Sequence, residues 1–164
     1  MTYLIEPLRG EGSQRQREQA QAYEMLCRLV GGKPELAHDA NGAPFLPSHP
    51  ELCISISHCR AAVAVAVSDC GWVGIDIESR RSVSGDLIRK VCTEEEQAAI
   101  QKAADPEMEF LRCWTRKEAV LKMRRTGIQG YGSMIDASSA TDCTVEDIDC
   151  GCDNIVAAVA VVKS

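Results

Sequence analysis

The chain has 164 residues, 45% hydrophobic and 26% charged, the balance of a soluble globular protein with one shared core. Aromatics are only 4%, so that core is built from Val, Ile, Leu and Ala. A formal net charge of −6 argues against a general nucleic-acid binder, and no apolar run approaches the ~20 residues that span a bilayer, so neither nucleic acid nor membrane is an expected partner.

In chain order, Thr2 to Glu6 suits a short strand. Ser13 is an N-cap for a helix from Gln14 to Val30, which stops at Gly31-Gly32. Gly31 to Pro50, with four Pro, three Gly and an Asn-Gly, is predicted to be loop. Cys53 to Ser57 alternates polar and apolar residues and predicts a strand. Ala62 to Ser68 predicts a second, and Asp69-Cys70-Gly71 turns into a third, Trp72 to Glu78, giving an expected three-stranded antiparallel meander. Asp86 to Val91 suits a short helix after a polar connection. Thr93 and Glu96 form a capping box that opens a helix to about Ala104. Asp105-Pro106 starts the next helix as N-cap and N1, running to about Arg125 and stopping at Gly127. Thr144 to Asp149 and Ile155 to Val162 predict two final strands. Strands at both ends around a central helical run indicate an α+β fold.

Nine cysteines are many for this length. The start, Met1 to Pro7, has neither a charged leader segment nor a long apolar run, so the expectation is a cytoplasmic protein with reduced thiols used as small core residues. Cys150-Gly151-Cys152 is a tight pair, but no second pair or His stands at finger-like spacing, which argues against zinc.

Two fragments carry chemistry. In Gly74-Ile75-Asp76-Ile77-Glu78, the strand period puts Asp76 and Glu78 on one face, Cα atoms roughly 6.5–7 Å apart, with Ile75 and Ile77 turned to the core. Carboxylates that close repel unless a cation sits between them, and hard oxygen ligands of this kind suit Mg²⁺ with substrate phosphates. In Trp114-Thr115-Arg116-Lys117-Glu118-Ala119-Val120-Leu121-Lys122, Glu118 and Lys122 stand one helical turn apart, about 6 Å along the axis. They edge an apolar stripe of Phe110, Trp114 and Leu121, and Lys117 lies near the other flank. His58, after Ser57 at a strand end, could reach a phosphate. Taken singly, each feature is better explained as ordinary surface: a solvated strand face, a helical Glu–Lys pair, a strand-end His.

Taken together, Ser57-His58, Gly74 to Glu78 and Trp114 to Lys122, with Gly42-Ala43-Pro44-Phe45-Leu46-Pro47 upstream, resemble the Sfp-like 4′-phosphopantetheinyl transferases over roughly Asn41 to Gly127. The resemblance implies two pseudo-symmetric halves, each a small antiparallel sheet with a packed helix. Residues 1–70 would be a shortened half on the nucleotide side of coenzyme A, and residues 71–164 the half with metal and catalytic residues. It implies transfer of the 4′-phosphopantetheine arm of coenzyme A to a serine of an apo acyl or peptidyl carrier protein, as in fatty-acid, polyketide or peptide synthesis, leaving 3′,5′-ADP. Asp76, Glu78 and Glu118 would hold Mg²⁺. Glu118 would also be the general base, and Lys122 would contact the diphosphate and support catalysis. Ser57, His58 and Lys117 would contact coenzyme A.

Ala43 stands where the family has a lysine. Arg15, Arg17 and Arg28 are candidates for the 3′-phosphate contact. Arg112, Arg116, Arg124 and Arg125, with Arg80, Arg81, Arg89 and Lys90, would form a basic surface for an acidic carrier. A monomer is the expected state, with a dimer that completes the short half left open. A non-catalytic module binding coenzyme A or carrier, and a metal-dependent phosphohydrolase using the same acids, are the alternatives.

Overall fold

The computed structural model describes residues 1–126, 134 and 137–163. In chain order the elements are β1 (Thr2–Pro7), α1 (Gln14–Val30), β2 (Ala37–His38), β3 (Pro44–Phe45), β4 (Cys53–His58), β5 (Ala62–Ser68), β6 (Val73–Ser79), α2 (Gly85–Val91), α3 (Glu94–Lys102), α4 (Pro106–Arg124), β7 (Cys143–Ile148) and β8 (Ile155–Val162). The α+β expectation holds. Ser13 and Thr93 close full capping boxes on α1 and α3, and Pro106 opens α4 behind Asp105. Helix α4 ends with Arg125 in the left-handed region at φ 57°. Gly127, the expected stop, lies outside the described residues.

The meander is corrected. Strand β5 pairs with β1 on one edge and β4 on the other, so neither edge is free for the strand that follows. Strand β6 instead pairs with β8, the central strand of a second antiparallel sheet ordered β6-β8-β7. The stretch expected to be loop also holds the two-residue hairpin β2–β3.

The strand period sorts side chains into layers. From β5, Val63, Val65 and Val67 pack on Ala22, Met25 and Leu26 of α1. The alternate residues Ala62, Ala64 and Ala66 meet Val73, Ile75 and Ile77 of β6 and Ala157 and Val159 of β8. On the far side of the second sheet, Val156, Ala158 and Ala160 pack on Phe110, Leu111, Ala119, Val120 and Met123 of α4. The order is helix, sheet, sheet, helix, with alanines on the inner face of β5 allowing close contact between sheets.

Strand β4 is stitched to β6 by side chains. The Ile75 N–H donates to Ser55 Oγ at 3.0 Å, and Ser57 Oγ donates to Asp76 Oδ1 at 2.8 Å. Gly74 fixes the other contact of β6. A Cβ there would lie 1.9 Å from the Ala119 carbonyl oxygen and 2.5 Å from the Met123 nitrogen, both backbone atoms of α4. Only glycine lets strand and helix approach this closely. Gly74→Ala is therefore expected to lower stability by about 2–3 kcal/mol or to prevent folding. Urea denaturation checks this, and a variant as stable as the parent would contradict the contact.

Candidate active site

The two sheets and α4 meet where β4 delivers Ser57, β6 delivers Asp76 and Glu78, and α4 delivers Glu118 and Lys122. The alternation expected for β6 is present: Ile75 and Ile77 are fully buried between the sheets. The opposite face, expected to look outward, is corrected, because α4 lies across Gly74 and leaves Asp76 only 5% exposed.

Lys122 is the hub. Its Nζ donates to Asp76 Oδ1 at 2.6 Å, to Ser57 Oγ at 2.9 Å and to the Ile75 carbonyl at 3.3 Å. One ammonium thus links β4, β6 and α4. Asp76 Oδ1 accepts from both Lys122 and Ser57, while Asp76 Oδ2 is buried with no hydrogen-bond partner among the described residues. Glu118, one turn before Lys122, is 9% exposed. Burial, then the charge of Asp76, pushes its carboxyl up to about 7; Lys122 offsets part of this, and Glu78 adds to it. Burial also raises Glu78, and the Arg81 guanidinium opposes that rise. Arg81 Nε lies 3.6 Å from Glu78 Oε2, and its guanidinium carbon stands 6.0 Å from the Trp114 ring centre.

An orphaned buried carboxylate oxygen, with two further carboxylates raised by burial and mutual repulsion, is a donor set that fits a hard divalent cation. The oxygens are not gathered on one point: among the described residues, no group of three or more His, Cys, Asp or Glu stands close enough to hold a metal as placed.

Beside Lys122 a cavity of about 190 Å³ opens between the β2–β3 turn, Asn41 to Pro44, and Ser55, Trp72, Lys122 and Arg125. Arg125 closes one side. It donates to Asp39 Oδ2 at 2.6 Å and stacks 4.9 Å from the Trp72 ring centre.

Residues 72–151, the segment that carries Asp76, Glu78, Glu118 and Lys122, match the family model of the 4′-phosphopantetheinyl transferase superfamily. The 4′-phosphopantetheinyl transferase AcpT of Salmonella typhimurium is 34% identical over 105 residues, covering 61% of this chain and 54% of its own. Escherichia coli K12 AcpT is 33% identical over 106 residues, 61% of this chain and 53% of its own. The L-aminoadipate-semialdehyde dehydrogenase-phosphopantetheinyl transferase of Saccharomyces cerevisiae is 32% identical over 124 residues, 67% of this chain and 46% of its own. This chain is phosphopantetheinyl transferase-like. It spans about half the length of the curated relatives it matches.

Not every expected site residue of this phosphopantetheinyl transferase-like chain reaches the cleft. Lys117 lies away from the acids. It is 2% exposed, and its Nζ donates to Glu96 Oε2 at 2.6 Å and to the Val91 carbonyl, tying α4 to α2 and α3. One helical position before Glu118 turns it about 100° away from the acids. His58 also points elsewhere. It follows Ser57, so the strand period sends it to the α1 side, where Nδ1 lies 3.3 Å from Glu18 Oε2 and the side chain is 54% exposed.

The arginines expected to form the basic surface are ion-paired. Arg112 pairs with Glu109, Arg116 with Asp147, Arg124 with Asp142, Arg125 with Asp39, Arg80 with Asp105, Arg81 with Glu78 and Arg89 with Asp86. Sequence reasoning missed two residues that set the site. Arg81 steadies Glu78, and Gly74, a glycine inside an apolar strand, is the usual sign of a close backbone approach.

The electrostatics give a pH test. Glu118 binds its proton more tightly in the fold, at about 7, than its ordinary 4.5. Its ionisation therefore costs stability that is absent below about pH 4.5 and grows as pH rises through about 7. Glu118→Gln removes that cost. The metal-free variant is expected to gain about 1–2 kcal/mol relative to the parent between about pH 5 and pH 8, after allowance for solvent screening. Denaturation across this range checks it, and a stability difference flat with pH would contradict the buried, repelled carboxylate.

Proposed function

We propose that the protein transfers the 4′-phosphopantetheine arm of coenzyme A to a serine hydroxyl of an apo acyl or peptidyl carrier protein. A bond forms between the serine oxygen and the phosphorus of the arm, and the bond from that phosphorus to the oxygen bridging to 3′,5′-ADP breaks. The observation that carries this reading is geometric: Glu118, a buried carboxyl, stands one helical turn from a lysine that already holds Asp76. A carboxylate so placed can take a hydroxyl proton.

In this reading Glu118 accepts the serine proton, directly or through a water. Lys122 offsets charge on the diphosphate as the phosphorus–oxygen bond opens. Asp76, Glu78 and Glu118 would hold Mg²⁺, which when bound would neutralise diphosphate charge. Ser57 keeps Asp76 and Lys122 in register across the seam between β4 and β6. The sheet with α1, residues 1–70, would be the nucleotide-side half, and residues 71–164 the half that carries the acids. We place the protein in the cytoplasm as a monomer.

Intact mass spectrometry tests the proposal. With coenzyme A and Mg²⁺, an apo carrier protein is expected to gain the mass of one phosphopantetheine arm, and Glu118→Gln is expected to slow that gain by about 10²–10⁴-fold. Binding of coenzyme A with an unmodified carrier would point to a binding module, and breakdown of coenzyme A with an unmodified carrier to a phosphohydrolase. Either result overturns the proposal.

A further inference from the structure

Two cations already sit on the acids of the cleft. An ammonium has three protons to give, and Lys122 has three acceptors, Asp76 Oδ1, Ser57 Oγ and the Ile75 carbonyl. No donor is left for a phosphate until one of these bonds is given up. Of the three acceptors, Asp76 Oδ1 is the one at which an incoming cation could replace the lysine's charge. Asp76 also holds a second buried oxygen with no hydrogen-bond partner among the described residues. Arg81 stands in the same relation to Glu78, 3.6 Å from its carboxylate and stacked near Trp114 at the cleft rim. Among the described residues, no cation is bonded to Glu118, although it is nearly as buried as Asp76. The ligand-free cleft is thus balanced by its own side chains, and those side chains hold the positions that a metal would need.

We infer that Lys122 and Arg81 are resident counter-cations of the ligand-free site, and that Lys122 changes partners on binding, leaving Asp76 for a diphosphate oxygen as a divalent cation and the diphosphate enter together. The inference rests on reading the cleft as a metal–diphosphate site. Its consequence is a coupling. A divalent cation alone must compete with Lys122 for Asp76 and with Arg81 for Glu78, so it binds weakly. A diphosphate gives Lys122 a new acceptor and frees Asp76, so each ligand raises the affinity for the other by the same factor. Arg81 takes the role of a positioning residue that screens Glu78 before ligands arrive.

The test is Mn²⁺ binding followed by electron paramagnetic resonance, without a carrier protein and so without turnover. Mn²⁺ alone is expected to bind Lys122→Met and Arg81→Gln about five- to tenfold more tightly than the parent, because one repelling charge has been removed from a partly screened site. Adding coenzyme A is expected to tighten Mn²⁺ on the parent by about tenfold or more and to have a much smaller effect on Lys122→Met. Should Lys122→Met fail to fold, Arg81→Gln still decides the first expectation, since Arg81 is 41% exposed and lies outside the core. Mn²⁺ binding no tighter in either variant, or coupling to coenzyme A undiminished in Lys122→Met, overturns the inference and leaves the reading of the site standing. No Mn²⁺ bound to any of the three proteins, with or without coenzyme A, overturns both.

Discussion

The backbone of α4 lies against Gly74 with no room for a single methyl group, and the site depends on that contact. It sets the distance between β6 and the helix, so Glu118 and Lys122 arrive beside Asp76 rather than one side-chain layer above it. The alanines of β5 pack the first sheet against the other face of β6, and Ser55 and Ser57 complete the seam. Small residues on both sides of one strand thus compress three acids and a lysine into a shared, poorly hydrated space.

Compression has an electrostatic cost. Buried carboxylates that repel one another hold their protons more tightly, and Glu118 is raised furthest because burial and Asp76 act together without a bonded cation among the described residues. A carboxyl at its ordinary value would be a weak base toward a hydroxyl at neutral pH. The same crowding destabilises the ligand-free protein, and Lys122 and Arg81 limit the damage. In the proposed reading, stability of the resting state and readiness for a polyanionic ligand are opposite demands on the same few side chains.

Much of the fold was legible. The N-cap Ser13, the capping box at Thr93, Pro106 at the first helical position, and period-2 runs located the major elements, because those signals act within a few residues. Sheet membership was not legible. The strand Val73–Ser79 follows Ser68 after a short turn and reads locally as a hairpin partner; its pairing with Ile155–Val162 depends on β1 having already taken the free edge of β5. In the site, the spacings of Asp76 with Glu78 and of Glu118 with Lys122 were legible because strand and helix periods dictate a shared face. The partner of Lys117 was not legible, because a helical wheel gives a direction but not what occupies it, and Glu96 of α3 occupies it here. His58 could have been separated from Ser57 by alternation alone. The partners of Arg116, Arg124 and Arg125 were not legible because Asp147, Asp142 and Asp39 are distant in sequence.

The central claim is that one cleft between β4, β6 and α4 holds both the cation and the diphosphate. A crystal structure of the protein with Mn²⁺ and coenzyme A tests it most directly. The expected result is anomalous scattering from Mn²⁺ in contact with Asp76 and Glu118 and with the diphosphate, and Lys122 moved from Asp76 to a phosphate oxygen. Mn²⁺ or the diphosphate bound outside this cleft would contradict the claim.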